Sequence, residues 1–245
     1  MEKAKKIEKW KYKNSVLNSF KNDDKEFEEL SGIIDAVNKT DLKEIFSNGL
    51  ESRYDQYKKY LYVHNLFLFR DLEQHIKDSV YCLIINAYIP SITNTNLLLE
   101  RALKLTLIQF EVGTVADYGD EEIIKKYIQA DKMYAGRSMD KNIQKCKKYK
   151  ILSEEEANEL TKYKLKFRDG FSHFTPANIL GGEEKLISIP LEQNDPDFER
   201  KLKMPSYQSM QVIHFATMNA ENHLAYVLDV LNHLQYKVLE QFSKK

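Results

Sequence analysis

The stretch "NLLLERALKLTLIQF", residues 96–110, is the part of this 245-residue sequence that decides the fold. Its only charged residues are Glu100, Arg101 and Lys104, and nearly all the rest is apolar. A helix on a protein surface carries one apolar stripe, whereas a helix that is apolar on most sides has to be covered by other elements. The stretch therefore predicts the central helix of an all-α bundle.

The sequence before this helix also has a helical pattern. From residue 41 to residue 89, apolar residues recur every three to six positions, which predicts helix almost throughout. We expect one interruption near Gly49 and an end at Pro90, with Thr93 or Thr95 capping the central helix. Residues 111–150 are more polar and contain several glycines, which predicts short helical pieces outside the core.

Three further features complete the predicted fold. Ser153 and Glu156 have the spacing of a capping box, which predicts a helix that begins there and stops at Gly170. "KLISIPL", residues 185–191, is a short β-like piece, and a long helix from about Ser206 to Phe242 closes the chain. The fold class is all-α: a helical bundle with a short irregular or β-like insert before its last helix.

Composition argues against several classes of function, although a zero net charge does not exclude a local basic cleft. The formal net charge is zero, so the chain lacks the general basic field of many duplex-binding proteins. Cys82 and Cys146 form no CxxC pair and are interpreted as reduced thiols. The most apolar stretch, residues 79–89, is about half as long as a membrane-spanning helix. We therefore expect a cytoplasmic protein with no membrane partner.

The motifs of common cofactor and metal sites are missing from the sequence. There is no glycine-rich phosphate loop, no GxSxG nucleophile elbow and no HExxH zinc motif. The histidines are too widely spaced along their helices to meet at one ion. No cofactor and no metal site is predicted, and five histidines are interpreted as structural: His64, His75, His214, His223 and His233.

Two nearly identical heptapeptides place an arginine five positions before a histidine: "FRDLEQH", residues 69–75, and "FRDGFSH", residues 167–173. The first lies in a predicted unbroken helix, where five residues turn a side chain by about 140°. Arg70 and His75 would then point to different sides, so we interpret this copy as a helix surface.

The context of the second copy favours a functional site. An apolar stripe buries one side of its helix and leaves Arg168 beside the stripe. Gly170 and Ser172 remove bulk next to His173, which predicts that another backbone or a substrate approaches closely there. "FTP", residues 174–176, would end the helix directly after His173. The stripe consists of Leu160, Tyr163, Phe167 and Phe171, and three lysines add positive charge upstream: Lys162, Lys164 and Lys166.

An arginine, a polar residue and a histidine at this spacing resemble the Rx4–6H signature of the HEPN superfamily. "NLLLERALKLTLI", residues 96–108, is similar to the central helix of that superfamily, which often has an hEhhLK pattern. The resemblance covers residues from about 70 to 180 and the final helix. It implies an N-terminal helical extension at residues 1–70 and a HEPN-like bundle at residues 71–245, unless the chain is one continuous domain.

The resemblance implies a metal-independent endoribonuclease of a toxin–antitoxin or anti-phage defence system, with an antitoxin or defence-system partner. Arg168 would hold the scissile phosphate, His173 would be the general base or acid for attack by the 2′-hydroxyl, and Asp169 would orient one of them. The three lysines would bind RNA, expected to be single-stranded, and a homodimer would bring two such motifs together. A tyrosine found in one toxin subgroup is replaced here by Thr175.

Two other interpretations stay open on the sequence alone. Some HEPN-type domains have lost catalysis and act as binding or dimerisation modules, and near neutrality and a large N-terminal extension fit such a module. An unrelated helical interaction protein is the third possibility. Whether the chain is an enzyme is therefore undecided at this point.

Overall fold

The computed structural model of the protein describes residues 24–62, 66–117, 119–181, 200 and 203–243, and for residues 24–34 the backbone alone. Within these ranges the chain forms helices and turns and no β-strand, so the predicted all-α class is confirmed. The β-like piece at residues 185–191 and His64 lie outside the described residues. No helix in the described ranges is long and apolar enough to cross a membrane.

The helices follow one another in chain order, and we number them from the first described one. They are α1 (Asp24–Tyr57), α2 (Lys59–Tyr62), α3 (Glu73–Ile84), α4 (Tyr88–Val112), α5 (Glu121–Tyr134), α6 (Met139–Lys148), α7 (Glu154–Tyr163), α8 (Gly170–Ser172), α9 (Pro176–Leu180) and α10 (Pro205–Phe242). A 3₁₀ turn (Arg70–Leu72) precedes α3, and a π-helix (Lys164–Asp169) joins α7 to α8.

The chain divides into two compact units, residues 1–52 and residues 53–245. In the first unit the side chains of residues 35–48 are all exposed. The second unit contains α2 to α10 and all the buried hydrophobic residues that the structure describes. The boundary at residue 70 that the HEPN resemblance implies stays a prediction.

Helix α4 is the centre of the second unit, as its apolar sequence predicts. It packs against α3, α5, α6, the π-helix and, most extensively, α10. Most of its buried side chains lie on the side that faces the other helices, whereas Thr93, Leu97 and Arg101 are exposed on the opposite side. Because a fully buried leucine or isoleucine stabilises the fold by about 1.5–3 kcal/mol, the apolar sequence of α4 supplies much of the core.

Small polar residues allow α3 and α4 to pack closely. The Ser91 hydroxyl donates to the Ser79 carbonyl at 2.9 Å, and the Thr95 hydroxyl lies 3.3 Å from the Ser79 hydroxyl. Thr95 also donates to the Ser91 carbonyl, 2.8 Å away, within the first turns of α4. Since α4 begins at Tyr88, the prediction that Thr93 or Thr95 caps it was wrong, and Thr95 is instead a buried contact.

The ends of α5 and α7 follow from local sequence. The Asp120 carboxylate accepts hydrogen bonds from the amides of Glu122 and Ile123 at 2.8 and 3.2 Å, which satisfies the first turn of α5. Ser153 and Glu156 form the reciprocal capping box at the start of α7, so that prediction is confirmed. The predicted final helix is also confirmed, with Pro205 in its first turn.

The predicted long helix from residue 41 to residue 89 is broken at different places. Helix α1 continues through Gly49 and ends at Tyr57, and α3 begins only at Glu73. Pro90 does not end a helix but lies in the first turn of α4, where its missing N–H costs no hydrogen bond. "FRDLEQH" is therefore not inside an unbroken helix: it starts in the 3₁₀ turn, which the buried Phe69 anchors.

Candidate functional site

The residues of "FRDGFSH" lie on one helical run with an irregular middle. The run passes from α7 through the π-helix into α8 and ends at Ser172, after which Phe174 takes a positive φ of 46°. Gly170 does not stop the helix as predicted, because its backbone is helical, with φ −57°. The end falls one residue before His173, so the prediction that His173 lies at a helix terminus is confirmed.

Gly170 allows a close approach, but the approaching group belongs to its own chain. A Cβ at this position would lie 2.7 Å from the Cγ1 of Ile179 in α9. The buried side of Gly170 is therefore filled by the side chain and backbone of Ile179, so the predicted close approach is made by another backbone of the same chain and not by a substrate. Ser172 and His173 remain exposed on the other side.

We predict that Gly170→Ala destabilises the protein by about 1–3 kcal/mol, because Ile179 is fully buried and cannot move away from the added methyl group. The loss should be visible in denaturant unfolding followed by circular dichroism. Gly119→Ala is the matched control: its nearest neighbour is a carboxylate oxygen of the exposed Asp117 at 3.3 Å. A Gly170→Ala protein as stable as the control would contradict this packing.

The π-helix is held by a buried polar chain. Asn96 of α4 donates from its amide nitrogen to the carbonyl of Phe167 at 2.9 Å. Its amide oxygen lies 2.9 Å from Nε2 of His223 in α10, so that oxygen is the acceptor and His223 carries its proton on Nε2. The ring of His223 stacks on Phe167 with centroids 4.1 Å apart.

Burial fixes the charge of His223. It lowers the pKa of the imidazole to about 3, so the ring is neutral in the folded protein at physiological pH. The prediction that His223 is structural agrees with this position, where it joins α4, α10 and the π-helix. The stripe predicted beside Arg168 is also present, since Tyr163 stacks on Phe167 and Phe167 on Phe171.

Arg168 lies between two carboxylates. Its Nη1 donates to Asp169 at 3.0 Å, and its Nε lies 3.5 Å from Glu100 of α4. Lys164 donates to Asp169 at 2.6 Å and to Asp140 of α6 at 2.8 Å. Residues 164 and 169 meet because a π-helix places positions five apart above one another. These five residues form an ion cluster, the name we use for them below.

Hydrogen bonding keeps the ion cluster charged. Partial burial alone would raise the pKa of the Asp169 carboxyl, but hydrogen bonds from Lys164 and Arg168 lower it below its ordinary value. Partial burial likewise opposes the charge of Arg168, yet the bond to Asp169 and the nearby Glu100 raise its pKa. The Arg168 side chain keeps 34% of its surface exposed to solvent.

His173 is close to the ion cluster in sequence and is exposed to solvent. Its backbone amide donates to the Asp169 carbonyl at 3.2 Å, which ends the helical run. Within residues 164–175, all of which are described, no hydrogen bond or ion pair joins its ring to Arg168. The catalytic pairing of Arg168 with His173 therefore stays a prediction.

The three lysines predicted to bind RNA differ in their surroundings. Lys162 is exposed at the end of α7. Lys164 is only 15% exposed and is committed to the ion cluster. Lys166 lies over the ring of Phe215 in α10, with Nζ 4.8 Å from the centroid. Of the three, Lys162 is best placed to bind a phosphate, because Lys164 would first have to break its ion pairs and Lys166 its contact with the Phe215 ring.

Two members of the ion cluster were not predicted as site residues. Glu100 had a visible signal, because a carboxylate in an apolar helix needs a partner. No sequence signal pointed to Asp140, because only the tertiary structure brings α6 next to Lys164. In the described ranges, no group of three or more histidine, cysteine or acidic side chains is arranged to hold a metal ion.

Comparison of the chain with protein-family models, with curated proteins and with solved structures finds no match. The resemblance to the HEPN superfamily therefore rests on the two quoted motifs.

Proposed function

We propose that the protein is a metal-independent endoribonuclease of HEPN type that cleaves single-stranded RNA. The observation that carries the proposal is the position of Arg168: a partly exposed arginine held between Glu100 and Asp169, five residues before an exposed histidine at a helix end. A role in a toxin–antitoxin or anti-phage system, with an antitoxin or defence-system partner, belongs to the same proposal.

The roles of the residues follow from their chemistry. Arg168 would bind the scissile phosphate with the edge not used by Asp169, and Glu100 at 3.5 Å is the weaker contact that the phosphate replaces. His173 would take the proton of the 2′-hydroxyl, whose oxygen then bonds to phosphorus while the bond from phosphorus to the 5′-oxygen breaks. The leaving 5′-oxygen takes this proton from the protonated His173, so one product ends in a 2′,3′-cyclic phosphate and the other in a 5′-hydroxyl.

A second copy of the chain would complete the site. One arginine and one histidine at a helix end make a small active site, and a two-fold axis would place two such pairs around one phosphate. Because Gly170 and Phe171 are buried within the subunit, the exposed surface beside His173 consists of Ser172 and Phe174, whose side chain is 48% exposed.

We predict that Phe174→Asn raises the dissociation constant of the homodimer at least about tenfold, because it removes an aromatic contact from the proposed interface. Asparagine tolerates the positive φ of this position, so the backbone should be unchanged. Sedimentation measures the effect, and Tyr81→Asn on α3, where the ring is 50% exposed, is the control. Equal association of the two variants would contradict an interface at Phe174.

One observation favours the alternative, a non-catalytic HEPN-like binding or dimerisation module. The ion cluster contains two cations and three carboxylates, so its net charge is negative and it attracts phosphate less than the motif alone predicts. Incubation of labelled single-stranded RNA with the protein in EDTA decides between the two. Cleavage to 2′,3′-cyclic phosphate ends supports the nuclease, and intact RNA supports the module.

A further inference from the structure

Helix α6 carries a row of lysines on the side that faces solvent. Four of its residues are buried against the rest of the second unit: Met139, Asn142, Ile143 and Cys146. Residues three or four positions apart share one side of a helix, and three lysines at this spacing lie opposite the buried residues. They are Lys141, Lys145 and Lys148, and we call them the lysine row; Lys141 and Lys148 are exposed and Lys145 is half-buried.

The charges of the lysine row are not neutralised within the described part of the protein. No described carboxylate forms an ion pair with Lys141 or Lys148. Lys145 lies over the ring of Tyr149, with Nζ 4.3 Å from the ring centroid, and this contact leaves its positive charge in place. Lys147, on the adjacent side of the helix, is by contrast paired with Glu154 of α7 at 2.9 Å.

The other carboxylates that contact α6 already have partners. Asp140 accepts from Lys164 of the π-helix at 2.8 Å. Glu111 of α4 accepts hydrogen bonds from the hydroxyls of Tyr134 and Tyr149, at 3.2 and 2.7 Å. Since each of these carboxylates is bound to another residue, the lysine row remains available to an external anion.

The helix dipole explains only part of the lysine row. Cations are favourable at the C-terminus of a helix, where Lys145 and Lys148 lie in the last turn of α6. Lys141 lies in the first turn, where the positive end of the dipole disfavours a cation. The row therefore follows the whole length of the helix, which indicates a ligand whose charges are also arranged in a line.

The lysine row begins beside the ion cluster. Asp140, the residue before Lys141, belongs to that cluster through its ion pair with Lys164. From Lys141 to Lys148 the row rises about 10 Å along the helix axis, at about 1.5 Å for each residue. This length corresponds to roughly three nucleotides of a stacked strand, at about 3.4 Å for each nucleotide. The row thus supplies about one lysine for each phosphate.

The lysine row also offsets the charge of the candidate site. The ion cluster has two cations and three carboxylates, so its own net charge is negative. The three cations of the row lie on the helix that supplies Asp140 to the cluster, and they make the combined charge positive. A polyanion would therefore be attracted to this end of α6 and held next to Arg168.

We infer that the lysine row of α6 binds the backbone phosphates of a single-stranded RNA, on the part of the strand that continues beyond Arg168. The inference rests on the proposed nuclease function for the identity of the ligand, and on the arrangement of the cations for its location. It assigns RNA binding to a surface outside the heptapeptide and its upstream lysines, of which Lys164 and Lys166 are engaged elsewhere.

Replacement of the lysine row measures its contribution to RNA binding. We expect the triple variant Lys141→Gln, Lys145→Gln and Lys148→Gln to raise the dissociation constant for a labelled RNA of about 12 nucleotides at least tenfold at low salt. Fluorescence anisotropy measures the binding, with His173→Ala added to every protein so that the RNA stays intact. The slope of log affinity against log salt should become shallower by about two, because each phosphate contact contributes about 0.7.

Two further variants separate the lysine row from the net charge of the protein. Changing Lys125, Lys126 and Lys132 of α5 to glutamine removes three exposed charges elsewhere and should leave the affinity nearly unchanged. Changing the lysine row to arginine keeps its charges and should keep the affinity. Equal loss of affinity in the two glutamine variants, or no RNA binding by the protein with its row intact, would overturn the inference.

Cleavage of a dinucleotide distinguishes this inference from the proposed nuclease, because its single phosphate would lie at Arg168 and leave none for the lysine row. If the protein cleaves the dinucleotide but the two glutamine variants bind the longer RNA equally, the inference fails and the nuclease stands. If the dinucleotide stays intact while only the lysine-row variant loses RNA binding, the binding surface is supported and the nuclease is wrong.

Discussion

Replacing either Arg168 or His173 by alanine is expected to slow cleavage of single-stranded RNA in EDTA by at least about 100-fold. The arginine would stabilise the charge that develops on the phosphate, and general acid–base groups contribute about 10²–10⁴-fold. Initial rates on a labelled RNA measure the loss of activity, and the chemical nature of the product ends identifies the reaction. Arg168→Lys should recover only part of the rate, because an ammonium group cannot bind phosphate with two parallel bonds.

The other heptapeptide supplies the controls for this experiment. Arg70→Ala and His75→Ala change the same residue types at the same spacing, and both should cleave at the rate of the unchanged protein. Thermal unfolding of all four alanine variants checks that the fold is intact. If cleavage is lost in the Arg70 and His75 variants instead, the site lies in the first heptapeptide and the present assignment is wrong. Loss of all cleavage in EDTA would contradict a metal-independent reaction.

Acid is expected to destabilise the protein through His223. In the unfolded chain this imidazole has its ordinary pKa of 6.5, whereas burial lowers the pKa to about 3 in the folded protein. Between these values the unfolded state binds one proton more than the folded state, so stability falls as the pH falls. Above pH 6.5 the free energy of unfolding does not depend on His223 titration. Below pH 6.5 it falls by about 1.4 kcal/mol for each pH unit.

Unfolding by denaturant at pH 7 and at pH 5 measures this effect, which should be about 2 kcal/mol. His223→Gln keeps an N–H donor for Asn96 and cannot titrate, so it should be less stable at pH 7 and should lose less stability on acidification. His214→Gln, at an exposed position of the same helix, should keep the full pH dependence. The same pH dependence in both variants would assign the proton uptake to another group.

The sequence predicts best those features that depend on neighbouring residues. The apolar stretch at residues 96–110 predicts the central position of α4, and Ser153 with Glu156 predicts the start of α7. Each of these features is local, because burial of a helix or satisfaction of its first amides needs only a few adjacent residues.

Features that depend on distant residues were predicted less well. Gly170 has the sequence pattern of a helix end, but Ile179 makes it a close-packing site inside a helical run. The helix breaks after Tyr57 and before Glu73 do not interrupt the apolar periodicity, so no sequence pattern marks where α1 ends and α3 begins. The ion cluster joins α4, α6 and the π-helix, whose approach only the complete fold determines.

The candidate site was predicted as a set of residue types but not as a charge distribution. The structure has the histidine at a helix end, and it has the arginine partly exposed beside two carboxylates. The motif does not predict that Glu100 and Asp140 add two negative charges beside Asp169. These two charges weaken phosphate binding. Because the motif does not reveal them, the sequence alone does not separate a nuclease from a non-catalytic module.

The π-helix ties the direction of the site to the packing of the core. A turn closed from one residue to the fifth after it contains one residue more than an α-helical turn, so it corresponds to a single inserted amino acid within a regular helix. In a regular helix, one residue more or fewer rotates everything that follows by about 100° around the helix axis. Loss of one residue between 164 and 169 would therefore turn the buried Gly170 and Phe171 out of their places as well as redirecting His173. One codon more or less in this segment is thus a change of the core and not of the site alone.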